Sequence, residues 1–80
     1  MTTTLDLRHP ITVDGAAVST LQLRRPKVRD MLAVETSTKN DAEKEIALFA
    51  NLCEVPPAAL HELDMADYSQ LQKAYHDFLS

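Results

Sequence analysis

Residues 41–55, DAEKEIALFANLCEV, carry apolar side chains on more than one side of a helix. Ile46, Phe49, Ala50 and Cys53 recur at i, i+3, i+4 and i+7 as one stripe, and Leu48, Leu52 and Val55 make a second. A helix of this kind needs neighbours on two flanks. The rest of the chain can cover both, or one flank can stay open as an apolar groove that receives a partner helix.

Eighty residues allow one small domain, 1–80, which buries roughly 60% of the surface its unfolded chain exposes. Four aromatic residues and no Trp leave a light, mostly aliphatic core, so self-association or a partner is expected to add stability. The net charge of −4 is unevenly spread: residues 1–40 hold six basic against four acidic side chains, and residues 41–80 hold two against eight. An acidic total argues against non-specific nucleic-acid binding, where neutralised phosphates supply most of the affinity. A single Cys excludes an intramolecular disulfide and suits a reducing compartment. The first ten residues lack the apolar centre of a signal peptide, and the longest apolar run, residues 46–50, is far short of a membrane span. The expected location is the cytosol.

Leu5 and Leu7 alternate with Thr4, Asp6 and Arg8, which reads as a half-buried strand interrupted at His9-Pro10. The extended pattern resumes at Ile11, Asp14-Gly15 is a strong turn signal, and a second strand alternates through Ser19, Leu21 and Leu23. Two strands are marginal in water, so their apolar face must lie on helices. Pro26 ends the second strand and opens a short helix, about 27–35, with Val28, Met31, Leu32 and Glu35 at helical spacing. A polar linker follows over residues 36–40. Asn40 or Asp41 can cap the central helix, 41–55, and Pro56-Pro57 stops it. A short helix over 57–63 and an Asp64-capped helix over 65–79 complete the chain. Leu71, Ala74, Tyr75 and Phe78, extended by Tyr68 and Leu79, form the apolar stripe of the last helix, with Asp67, Gln70, Lys73 and Asp77 toward water. The predicted fold is α+β, an N-terminal β-hairpin over 3–24 followed by three to four short helices.

No catalytic, cofactor or metal site is expected. His61-Glu62 begins like the zinc pattern H-E-x-x-H, but its fifth position is Met65, so two imidazoles cannot chelate an ion one turn apart. Cys53 closes an apolar stripe beside Glu54, where a structural thiol is the better reading than a nucleophile. Arg24, Arg25, Lys27 and Arg29 have no interleaved aromatic residues to stack on bases; they read as a solvated segment or as a contact with the acidic half of another copy. Asp67-Tyr68-Ser69 is similar to the phosphopantetheine site of acyl carrier proteins, yet the Ser is displaced and a hairpin does not fit that all-helical fold. A small acidic adaptor or carrier, antitoxin-like or acyl-carrier-like, is the alternative class.

The order of motifs is more specific than any one of them. Residues 5–31 contain Pro10-Ile11, Val13-Asp14-Gly15, a strand running through basic residues to Pro26, and Asp30. After the linker come an aliphatic helix, a Pro-containing break, a Leu-x-x-Leu turn at Leu60 and Leu63, an Asp-initiated helix and Phe78-Leu79. In this order the chain resembles the small tail assembly chaperones of contractile-tailed phages and prophages, the group that includes those of Mu-like and P2-like elements. It departs from them at Cys53-Glu54, where a small residue or Gly would close the helix.

The resemblance implies a non-enzymatic role in virion morphogenesis. Such a chaperone binds the long, helical, aggregation-prone tape measure protein, keeps it soluble and presents it to tail tube protein, often through a frameshifted longer form, and is not expected in the mature virion. Met31, Leu48, Leu52, Val55 and Met65 are the candidate partner-binding residues, since flexible apolar side chains suit a helical client.

Overall fold

The computed structural model describes residues 2–36 and 40–80. Strands β1 (Thr2–Val13) and β2 (Ala16–Arg24) pair antiparallel across the two-residue loop Asp14-Gly15. Both loop residues have positive φ, 51° and 81°, the left-handed pair that an Asp-Gly hairpin turn requires. The ladder is regular from Thr2↔Arg24 to Asp6↔Thr20 and resumes at Ile11↔Val18, so residues 7–10 bulge opposite Ser19 alone. Pro10 inside this bulge removes no ladder bond, since the pairing is already broken there.

The bulge also changes which side of β2 faces inward. Leu21 and Leu23 are buried and Val18 packs against the core, whereas Ser19, expected on the same face, is exposed. A one-residue change of parity turns every later side chain over.

Among the described residues four helices follow: α1 (Val28–Glu35), α2 (Asp41–Cys53), α3 (Pro57–His61) and α4 (Met65–Phe78). Residues 37–39 of the expected polar linker lie outside the described residues. Asn40 caps α2 by accepting the Glu43 N–H at 2.9 Å, and Asp64 caps α4 by accepting the Ala66 N–H at 2.8 Å. Helix α2 ends two residues earlier than its stripes suggest, because Glu54 turns left-handed (φ 57°, ψ 45°). The Val55 N–H then reaches back to the Ala50 carbonyl at 3.0 Å, closing the helix as glycine usually does. Helix α3 stops at His61 and α4 at Phe78, each short of the expected end.

Helix α2 lies at the centre, against β2, α1 and α3, while α4 packs on β1. Phe49 of α2 meets Tyr68 and Tyr75 of α4 at ring-centroid distances of 5.8 and 5.2 Å. Glu45 on α2 accepts hydrogen bonds from the Tyr68 hydroxyl (2.6 Å) and from Gln72 Nε2 (2.8 Å). The core joins Leu5, Leu7 and Ile11 of β1 and Leu21 and Leu23 of β2 to Phe49, Leu52, Leu60 and Leu71 of the helices.

One residue expected in water is inside. Asp67 is 2% exposed, and its two carboxylate oxygens accept the Arg8 and His9 N–H groups, each at 3.0 Å. Helical periodicity places Asp67 on the polar face, but the bulge leaves two amides without ladder partners, and a buried carboxylate satisfies both. Those amides hold its pKa below the usual carboxylate range.

Candidate protein-interaction face

The surface feature that stands apart begins with a buried charge. Arg24, the last residue of β2, donates from Nη1 and Nη2 to the two carboxylate oxygens of Asp30 at 3.0 and 2.7 Å. The Lys27 N–H adds a third bond to Asp30 at 2.8 Å, capping α1. The Arg24 guanidinium, first of these, brings the Asp30 pKa down to about 2, and the guanidinium itself is raised. Asp30 is therefore drawn inward, together with Val34 one turn later.

An eight-residue helix anchored on Asp30 and Val34 must point its opposite side at solvent. That side is the apolar one. Val28 is 71% exposed, Leu32 57% and Met31 49%. The apolar residues that gave α1 its helical spacing therefore face out.

Two shallow grooves border this stripe and share Met31 and Tyr75. One runs along Pro26, Lys27, Val28 and the exposed Leu79; the other passes Val34 and the half-buried Leu48 toward Phe49. Arg25 lies over the Phe78 ring at 5.7 Å, fixing the end of α4 beside the start of α1. The two grooves meet at Met31 and Tyr75 in one apolar face built by α1, α2 and α4, with Lys27, Glu35, Asp41, Lys44 and Glu45 along it.

Of the five residues proposed from sequence, Met31 and Leu48 line this face. Leu52 does not: it is 0% exposed, inside the core, and offers no surface to a partner. Val55 is half-buried beyond the end of α2 and borders neither groove. Met65, 74% exposed, sits over a separate depression formed by Ile46, Leu60, His61, Leu63 and Tyr68. The second stripe of α2 is thus largely covered within the chain, and the uncovered apolar surface belongs to α1 and the ends of α4. Periodicity did not single out Val28, Leu32, Tyr75 or Leu79 for this role, because it finds an apolar stripe without saying which way it points. The signal available was Asp30, an acidic residue one turn from Val34 and within reach of a strand-ending Arg.

The reactive side chains have structural surroundings. Cys53 is 8% exposed and burial pushes its thiol up to about 11, so it stays protonated. Among the described residues no three His, Cys, Asp or Glu side chains converge as a metal site would require, and His61 lies 3.9 Å from Glu43. The Asp67 carboxylate beside Ser69 is occupied by the β1 bulge. Among the described residues no helix is long and apolar enough to cross a membrane.

Fold and face together define a small α+β domain whose distinctive surface is apolar and uncovered. Residues 4–80 match the family described as "phage tail assembly chaperone proteins, E, or 41 or 14". The chain belongs to that family, and its role is that of a chaperone in tail assembly. No curated protein and no solved structure matches it.

Proposed function

We propose that this chain binds apolar, helical segments of the tape measure protein on the face formed by α1, Leu48 and the end of α4, and so keeps that protein soluble until tube subunits assemble around it. The observation that carries the reading is the outward stripe Val28, Met31 and Leu32, exposed on a helix held in that orientation by Arg24 and Asp30. A client helix laid along the groove would bury this stripe and meet unbranched, adaptable Met31 at its centre. Membership in a chaperone family supports the reading.

Co-expression with a tape measure protein tests it. Wild-type protein is expected to raise the soluble fraction of the client and to co-purify with it. Leu32→Asp should abolish both while the variant itself stays folded. A variant that captures the client as well as wild type would overturn this placement of the binding face.

A further inference from the structure

Helix α1 carries its charges at the wrong ends. Lys27 and Arg29 stand at the N-terminus, where the helix dipole is positive, and Glu35 stands at the C-terminus, with no basic residue in the last turn. Asp30 has the favourable sign in the first turn, but Arg24 already neutralises it. Among the described residues no ion pair involves Lys27, Arg29 or Glu35.

We infer that a second copy of this chain covers the outward face of α1, the two α1 helices packing antiparallel about a two-fold axis. Centred between Met31 and Leu32, this arrangement sets Met31 against Leu32 of the second copy and Val28 against its Glu35. Glu35 of each copy then lies between Lys27 and Arg29 of the other, which flank the stripe on its two sides. The antiparallel dipoles and all three charges become favourable together, and no mixed partner is needed to supply the complement. An eight-residue helix is only about 12 Å long, so the pair is weak, with a dissociation constant on the order of 10–100 µM. The same face serves the client in the function proposed above, so the two occupants exclude each other and the dimer hides the apolar surface until a client arrives.

Sedimentation equilibrium of the full chain alone, from about 1 µM to about 1 mM, tests the inference. Wild type is expected to pass from its monomer mass of 8.9 kDa toward twice that value as concentration rises. Leu32→Asp and Glu35→Arg should each weaken the dimer by at least about tenfold, and adding Lys27→Glu with Arg29→Glu to Glu35→Arg should restore it. Circular dichroism confirms that each variant is folded. A wild type that stays monomeric throughout, or a dimer indifferent to Leu32→Asp and Glu35→Arg, would overturn the inference. No client is present in the measurement, so that failure is separate from a failure of client capture.

Discussion

Asp30 accepts three hydrogen bonds on two oxygens, and the consequence is a pH dependence with a definite sign. Its carboxyl titrates at about 2 when folded, against an ordinary 3.8. Ionised Asp30 therefore stabilises the fold fully above 3.8, and that contribution is lost as pH falls through about 2. Asp30→Asn should cost about 2 kcal/mol at neutral pH, because it leaves the partly buried Arg24 guanidinium without its counter-charge. The deficit should shrink between pH 3.8 and about 2 as wild type loses the same interaction. Urea unfolding of both proteins across that window measures it, and the depressed pKa of Asp67, common to both, cancels in the difference. A deficit constant with pH would mean the ion pair is not what Asp30 contributes. Glu54 shows where residue-level reading stops. The apolar pattern of α2 runs on to Val55, so nothing in the periodicity reveals that the chain turns left-handed one residue earlier. The absence of the Gly expected there was visible, but not that a Glu would adopt the conformation, at a cost of roughly 1–2 kcal/mol.

At the scale of elements, local signals located what local physics builds. The Asp-Gly turn, the Asn40 and Asp64 caps and the Pro57 helix start all lie where the sequence places them, because each is settled within a few residues. The parts that were not legible depend on partners distant in the chain. Asp67 is buried only because a bulge 58 and 59 residues earlier exposes two amides, and α1 faces outward only because Arg24 captures Asp30. This contrast gives a comparison between two carboxylates near the start of α4. Asp64→Ala removes an exposed cap and should cost about 1 kcal/mol. Asp67→Ala takes the acceptor from two part-buried amide hydrogen bonds and should lower the melting temperature more than Asp64→Ala does, with faster hydrogen exchange at Arg8 and His9. Equal melting temperatures, or unchanged exchange at those two amides, would show that the bulge is held by something other than Asp67.

For the whole molecule, the decisive distinction is between apolar groups that build the core and apolar groups that remain outside it. Sequence periodicity put Leu48, Leu52 and Val55 on one stripe and left its cover open, since a hydrophobic repeat is the same whether that cover comes from the chain or from a partner. The fold separates them: α1, α3, α4 and the hairpin surround α2, and the surplus appears on α1 instead. Leu52→Asp would place a carboxylate at a site with 0% exposure. Burying an unpaired charge costs several kcal/mol, comparable to the total of about 5–15 kcal/mol that stabilises a small domain, so this variant should be largely unfolded at 25 °C. Leu32→Asp puts the same charge on a side chain 57% exposed, and in dilute solution it should melt within about 0.5 kcal/mol of wild type. Thermal melts followed by circular dichroism, with concentration held low to remove any effect of association, compare the two directly. If Leu52→Asp folds like wild type, α2 does not occupy the centre of the domain. If instead Leu32→Asp unfolds it, the α1 stripe belongs to the core and the exposed face does not exist in solution.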